Sequence, residues 1–159
     1  MYKTVVFDLD GTLLNTLTDL ANAGNRLCRK YGWPTHERQA YRYFVGNGIP
    51  KLVERLAPAD QRTPAVLEAA LADFKRDYGQ HLRDTTAPYP GIPEMLANLK
   101  ANVVQLAVFS NKADALAKEV VKDYFGTQYF TIVRGQMTGV APKPAAEGTN
   151  ALLQALHAD

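Results

Sequence analysis

The sequence predicts an α/β protein with a parallel-sheet core and an inserted helical cap. First, apolar runs rich in β-branched and aromatic residues recur at Val5–Phe7, Val103–Phe109 and Tyr129–Val133, as expected of strands buried on both faces. Second, helical patterns separate these runs, and this alternation favours a parallel sheet. Third, the segment between the first two runs is helical throughout. It is too long for one crossover helix, so it is predicted to be an insertion.

The helices of the insertion follow from apolar stripes and start signals. Thr35 can cap a helix with its hydroxyl group, and the pair Thr63–Pro64 is a second start signal. Between them Gly46–Pro50 breaks the pattern, and its proline suits the first turn of a short helix. We expect helices over residues 18–31, 35–45 and 64–82, a short one from residue 50, and no strand between residues 14 and 82.

A turn-rich stretch, Ala87–Pro93, marks the return from the insertion to the core. Beyond it the sequence predicts strands that alternate with helices over residues 93–100, 113–124 and 149 to the end. The expected domains are therefore a core of residues 1–15 and 83–159 and a cap of residues 16–82.

Bulk composition narrows the functional classes. The chain has 159 residues, of which 47% are hydrophobic, so it can form an extensive core. Its net charge of +2 argues against nucleic acid or membrane partners. Cys28 is the single cysteine, which excludes an internal disulfide and fits a reducing compartment. Because no signal-peptide pattern and no apolar stretch of membrane-spanning length is found, we expect a cytoplasmic protein.

Polar residues follow each predicted core strand, where ligands of open parallel sheets bind. Lys112 follows the second strand, but we expect it at the surface. The candidate site residues are Asp8, Asp10, Gly11 and Thr12 after the first strand, Ser110 and Asn111 after the second, and Lys143 after the third.

These residue types together suit a site for a metal ion and a phosphate group. One carboxylate can attack phosphorus, while the other protonates the leaving alkoxide and then activates water. Two like charges so close need a cation, and Mg²⁺ prefers hard oxygen ligands and phosphate. Gly11 lets the backbone turn so that amides face an anion, while the Ser110 hydroxyl and the Asn111 amide can donate to phosphate oxygens. Lys143 can offset charge on the phosphoryl group in the transition state.

In order and spacing, the motifs DLDGTLLN, FSNK and PKP resemble motifs I, II and III of the haloacid dehalogenase superfamily. The stretches YFVGNGIPKLVERL and PYPGIPEML look most like those of phosphoglycolate phosphatases. The resemblance covers essentially the whole chain. It implies a Rossmann-like core, a mobile helical cap and a Mg²⁺ cofactor.

The resemblance also implies roles for individual residues. Asp8 would be the nucleophile and Asp10 the general acid and base, with Mg²⁺ bound by the Asp8 side chain and the Asp10 backbone carbonyl. Ser110 would bind phosphate, and Lys143 would clamp its charge. The cap loop Gly46–Ile49 would face the substrate. The implied substrate-binding residues are thus Gly11, Thr12, Ser110, Asn111, Gly46, Asn47 and Gly48.

The sequence departs from the family pattern in two places. Asn15 stands where relatives usually have aspartate. The family also has a fourth acidic motif that completes the metal site, whereas only Glu147 and Asp159 are acidic after Lys143. We therefore expect this sequence to lack the C-terminal strands and motif IV. Their absence would leave the first strand, Lys3–Phe7, as an open sheet edge.

Three functions are compatible with these features. The first is a Mg²⁺-dependent phosphomonoester hydrolase that forms an aspartyl phosphate and acts on a small phosphorylated metabolite, with 2-phosphoglycolate as the implied substrate. The second is a sugar-phosphate mutase, which the cap pocket would distinguish from the first. The third is a truncated, non-catalytic phosphate-binding module that forms a homodimer through the open sheet edge. Asp10 argues against a dehalogenase, which needs no leaving-group acid at that position.

Overall fold

The order of strands and helices is the alternating one that the sequence predicts. The computed structural model describes residues 2–158. The strands are β1 (Thr4–Phe7), β2 (Leu14–Asn15), β3 (Ala87–Pro88), β4 (Gln105–Ala113) and β5 (Ile132–Gln136). The α-helices are α1 (Leu17–Tyr31), α2 (Tyr41–Phe44), α3 (Ile49–Leu56), α4 (Pro64–His81), α5 (Ile92–Ala101), α6 (Asp114–Phe125) and α7 (Ala146–Leu156), with 3₁₀ turns at Arg38–Ala40 and Ala59–Gln61.

The chain divides into two compact units, one of residues up to 15 and from 88 onward, the other of residues 16–87. The first unit contains a parallel three-stranded sheet in the order β1-β4-β5, so the predicted parallel α/β architecture is confirmed. Val6 pairs with Ala107, and Val108 pairs with Val133. A separate two-stranded sheet joins β2 and β3, so the prediction of no strand between residues 14 and 82 is wrong at Leu14–Asn15.

The middle strand provides much of the core of this unit. Ala107 and Phe109 of β4 pack with Leu152 and Leu156 of α7 in one buried cluster. Burial of a Phe or Leu side chain is favoured by about 1.5–3 kcal/mol, so Phe109, Leu152 and Leu156 fix α7 against the sheet. The prediction that β1 is buried on both faces is wrong, because Val6 is 40% exposed. Within residues 2–158, β1 lies at an edge of the sheet. Dimer formation through this edge stays a prediction.

Three core elements lie elsewhere than predicted. β4 does not begin at Val103, because the end of α5 uses that residue as a left-handed cap with a φ of 59°. The N–H of Val103 donates to the Lys100 carbonyl, and the N–H of Val104 donates to that of Leu99. β5 begins after Phe130, which packs edge-on between aromatic rings of α6 and β1. α7 begins at Ala146, three residues before the predicted start at Thr149.

The second unit is built almost entirely from helices. The predicted helix over residues 35–45 is wrong in its first half, where only a 3₁₀ turn forms at Arg38–Ala40. In its second half the structure has α2. The hydroxyl of Thr63 accepts a hydrogen bond from the N–H of Val66 and caps α4, as expected. Cys28 and Trp33 are buried in this unit. No helix within the described residues 2–158 is long and apolar enough to cross a membrane.

A buried carboxylate ties the end of this unit to its start. Asp19 lies on α1, and its side chain accepts hydrogen bonds from the N–H groups and hydroxyls of Thr85 and Thr86. Burial acts to raise the pKa of Asp19, but the hydrogen bonds from the two threonines outweigh it and lower the pKa below 3.8. The segment after α4 is therefore held by a charged acceptor.

Candidate active site

The turn after β1 is a rigid platform for two carboxylates. The N–H groups of Thr12, Leu13 and Leu14 all lie within hydrogen-bond distance of the Leu9 carbonyl, at 3.2, 3.0 and 3.1 Å. Leu9, Leu13 and Leu14 are fully buried, so apolar packing holds the turn from below. Gly11 has a φ of 80°, a backbone conformation that favours glycine. The side chains of Asp8 and Asp10 remain 47% and 22% exposed, respectively.

The end of β4 supplies the second group of polar side chains. The N–H of Lys112 donates to the Ser110 hydroxyl at 3.1 Å, and both residues are buried. Asn111 points to the loop before α7, where its amide donates to the Lys143 carbonyl at 3.2 Å. The N–H of Lys143 in turn donates to the Asn111 amide oxygen at 2.8 Å. This pair of hydrogen bonds fixes the backbone of Lys143.

The Lys143 side chain reaches the first carboxylate. Its ammonium group donates to Asp8 Oδ1 at 2.9 Å and to the Phe109 carbonyl at 2.6 Å. It also lies 5.2 Å from the centroid of the Phe109 ring, within the range of a cation–π interaction. Asp8 Oδ1 also accepts a hydrogen bond from the N–H of Leu9 at 2.8 Å. The predicted neighbours Asp8, Asn111 and Lys143 are thus joined in one hydrogen-bonded network.

The second carboxylate has its own lysine, which sequence reasoning placed wrongly. Lys112 is 6% exposed rather than at the surface. Its ammonium group donates to both carboxylate oxygens of Asp10, at 2.9 and 3.2 Å. The strand alternation could have revealed this arrangement, because residues two apart in a strand share a face. Because Ser110 is predicted to lie in the site, this alternation would place Lys112 on the same face of the strand, next to the site.

The remaining predicted residues have local roles in the structure. Thr12 is exposed in the turn after β1. Gly46 and Gly48 have φ values of 104° and 85°, and Gly48 caps α3. The Asn47 amide oxygen accepts a hydrogen bond from Arg55 at 3.0 Å. These three residues belong to the helical unit, and their contact with substrate stays a prediction.

A glycine on β5 permits the close approach of the chain behind the site. A Cβ at Gly135 would lie 2.5 Å from the Cα of Asp114 and would overlap the Lys112 carbonyl. The N–H of Gly135 donates to Asp114 Oδ1 at 2.9 Å. Burial raises the pKa of Asp114, but this hydrogen bond and the one from Lys118 outweigh it and lower the pKa. The backbone that follows Lys112 is therefore held in place by β5.

The donor chemistry of the site fits a hard cation. The hydrogen bonds that Asp8 accepts both fall on Oδ1, which leaves Oδ2 for another partner. Carboxylate and carbonyl oxygens are the ligands that Mg²⁺ prefers. Asp8 and Asp10 are only two acidic groups, and within residues 2–158 no cluster of three or more His, Cys, Asp or Glu could hold a metal ion.

Two carboxylates, each paired with a lysine, lie at or beyond the carboxyl ends of the strands of a parallel sheet, where ligands of open α/β sheets bind. The haloacid dehalogenase-like hydrolase family model matches residues 5–159. The chain therefore belongs to this family.

Individual relatives are named as phosphoglycolate phosphatases. The protein of that name from Thiobacillus denitrificans is 32% identical over 145 residues, which cover 89% of this chain and 64% of the relative. The one from Neisseria meningitidis is 34% identical over 146 residues, which cover 90% of this chain and 62% of the relative. The chain thus spans a little under two thirds of the length of these curated relatives.

A solved structure gives the same result for the fold. The crystal structure of a proposed phosphoglycolate phosphatase from Lactobacillus delbrueckii subsp. bulgaricus superposes with a TM-score of 0.91 at 27% identity. The match covers 99% of this chain and 74% of that protein. This chain therefore shares its fold with that solved structure.

Proposed function

We propose that the protein is a Mg²⁺-dependent phosphomonoester hydrolase that acts through an aspartyl phosphate. The observation that carries this proposal is the pairing of Asp8 with Lys143, whose ammonium lies 2.9 Å from Asp8 Oδ1. A nucleophilic carboxylate must meet a phosphate dianion, and a lysine beside it reduces the repulsion between them. Both hydrogen bonds that Asp8 accepts within residues 2–158 fall on Oδ1, so the carboxylate is held beside the lysine while Oδ2 stays available.

The two carboxylates divide the reaction between them. An oxygen of the Asp8 carboxylate forms a bond to phosphorus while the bond from phosphorus to the ester oxygen breaks, and the proton of Asp10 passes to that leaving oxygen. Asp10, now ionised, takes a proton from water, whose oxygen attacks the phosphorus of the aspartyl phosphate. The Asp8 carboxylate is then restored, and inorganic phosphate leaves.

Other residues would bind and neutralise the transferred group. The Ser110 hydroxyl and the Asn111 amide donate to phosphate oxygens, together with amides of the turn at Gly11 and Thr12. Mg²⁺ would be bound by the Asp8 side chain and the Asp10 carbonyl, and it would supply positive charge to the phosphoryl oxygens.

The substrate we infer is 2-phosphoglycolate, in the cytoplasm, with Gly46, Asn47 and Gly48 as substrate contacts from the helical unit. Two relatives named as phosphoglycolate phosphatases support this substrate. A lone, buried cysteine suits a reducing compartment.

The substitution Asp8→Asn in the full-length protein tests the proposal. We expect it to lower phosphate release from 2-phosphoglycolate in the presence of Mg²⁺ by more than about 10³-fold, because an amide cannot form the acyl phosphate. The control is Asp60→Asn, which changes an exposed carboxylate in the helical unit and should leave the rate within about twofold. Circular dichroism should show the same fold for both variants.

Each alternative function predicts a different result. Retained phosphate release in Asp8→Asn would contradict the role of Asp8 as nucleophile. A sugar-phosphate mutase would interconvert sugar phosphates without net release of phosphate. A non-catalytic module would bind phosphate yet show no Mg²⁺-dependent turnover in the wild-type protein.

A further inference from the structure

We propose that Lys112 is a positioning residue that orients the side chain of Asp10 so that its acid form can transfer a proton to the leaving group. This inference rests on the proposed function, since it assigns a task to Lys112 within that reaction. The ion pair itself is a feature of the structure: the ammonium of Lys112 contacts both oxygens of Asp10, at 2.9 and 3.2 Å.

The ion pair is much less exposed than its neighbour. The side chains of Lys112 and Asp10 are 4% and 22% exposed, whereas those of Lys143 and Asp8 are 26% and 47% exposed. A contact sheltered from water keeps more of its Coulomb energy, because the local dielectric is lower. Two contacts to one carboxylate also restrict its rotation. The Lys112–Asp10 pair is therefore suited to hold a side chain in one orientation.

The backbone of Lys112 is fixed independently of its ammonium group. Its N–H donates to the Ser110 hydroxyl at 3.1 Å, and its carbonyl lies against Gly135 with no room for a Cβ between them. The position of the ammonium is thus set by β4 and β5, which do not carry Asp10. Lys112 therefore connects Asp10, in the turn after β1, to the paired strands β4 and β5.

Orientation matters more for Asp10 than for Asp8. Proton transfer needs the carboxyl oxygen within about 3 Å of the leaving oxygen and aligned with it. An ester with a poor leaving group, such as an alkoxide or phenolate, depends on this proton, whereas 4-nitrophenolate leaves without one. Loss of the Lys112 contact should therefore affect the two kinds of ester to different degrees. A purely structural role would affect both equally.

The test compares Lys112→Met with wild-type protein in single-turnover release of the leaving group. With Mg²⁺, we expect release of phenol from phenyl phosphate to slow by about 10²-fold, the lower end of general acid catalysis. Release of 4-nitrophenolate from its phosphate ester should change by less than about threefold. Lys118→Met is the matched control, because Lys118 is exposed and pairs with Asp114 on the same helix. It should leave both rates unchanged.

A second measurement tests the contact itself without relying on activity. In protein with ¹⁵N-labelled lysine, the ammonium of Lys112 should exchange its protons slowly, since it is buried and hydrogen-bonded. Asp10→Asn should shift or broaden this signal, and Asp8→Asn should instead affect the signal of Lys143.

The outcomes separate this inference from the proposed function. Equal slowing of both esters in Lys112→Met, or no slowing, would overturn the positioning role while leaving the hydrolase intact. A wild-type protein that cleaves neither ester would contradict the proposed function. The inference would fail as well if the Lys112 signal proved insensitive to Asp10→Asn.

Discussion

The carboxylate of Asp19 anchors the segment after α4, and its replacement tests how much that anchor contributes to stability. Asp19 is 1% exposed, and it receives two backbone N–H groups and two hydroxyls from Thr85 and Thr86 at 2.6–3.0 Å. In Asp19→Asn the amide oxygen still accepts hydrogen bonds, but they lose the charge. Each charged hydrogen bond contributes about 1 kcal/mol more than a neutral one.

Counting the two backbone donors alone, Asp19→Asn should lower the free energy of unfolding by about 2 kcal/mol. Asp19→Ala should cost more, about 4 kcal/mol, because both N–H groups are then buried without a partner. The hydroxyls contribute less, since they can rotate to other acceptors.

Thermal unfolding followed by circular dichroism measures this difference. A loss of 2 kcal/mol corresponds to a fall in Tm of roughly 4–8 °C for a chain of this size. The control is Asp77→Asn, whose partner Arg26 is 34% exposed and whose loss should cost less than about 1 kcal/mol. If Asp19→Asn lowered the Tm no more than Asp77→Asn, the argument that the buried carboxylate anchors this segment would be refuted.

The same side chain predicts a pH dependence. Its pKa in the folded protein lies below 3.8, because the hydrogen bonds to Thr85 and Thr86 outweigh the effect of burial. A carboxyl group with a depressed pKa stabilises the folded state. The full stabilisation is present at pH values above the unfolded-state pKa, and it is lost as the pH falls through the folded-state pKa. The stability difference between wild type and Asp19→Asn should therefore be constant near neutral pH and shrink below about pH 4.

Three further substitutions test the packing and the backbone geometry, and urea unfolding measures the effect of each. Gly24→Ala should destabilise the protein by about 1–3 kcal/mol, because the new Cβ would lie 2.5 Å from the Tyr41 ring. The control is Gly79→Ala in α4, where a Cβ would have no neighbour within 4 Å and should stabilise the protein by up to about 1 kcal/mol. Equal effects of the two substitutions on stability would contradict the packing argument. Val103→Gly should stabilise the protein by roughly 1 kcal/mol, because Val103 has a φ of 59° and is 90% exposed; a loss of stability would show that the left-handed cap is not strained.

The order of elements could be predicted from the sequence because it depends on local patterns, but their bounds depend on contacts between distant residues. The apolar pair Val103–Val104 looks like the start of a strand, yet Val103 closes α5 as its left-handed cap. Phe130 looks like a strand residue as well, but its ring packs against Phe7 and Phe125 instead. Aromatic and β-branched residues suit strands and buried loops alike, so composition alone does not separate them.

The candidate site divides in a similar way. Asp8 and Lys143 could be found from the order of short motifs, and the structure joins them. Lys112 was missed because a lysine after a strand is usually exposed. Its burial follows from β4 extending to Ala113, which carries Lys112 into the interior next to Asp10. The strand extension is a tertiary effect of pairing with β5, and the alternation from Ser110 to Lys112 applies only once that extension is known.

The four charged side chains of the site have a consequence for how a ligand is captured. Asp8 and Asp10 carry two formal negative charges, and Lys112 and Lys143 carry two positive ones, in pairs 2.9 Å apart. While both carboxylates are ionised, a phosphate dianion approaching this set meets no net charge, so long-range steering contributes little and the capture rate should depend weakly on salt. Binding of a dianion alone, or of a divalent cation alone, would give the site a net charge, whereas binding of both together keeps the site neutral. Phosphate ester and divalent cation should therefore bind with positive cooperativity, each raising the affinity for the other by the same factor.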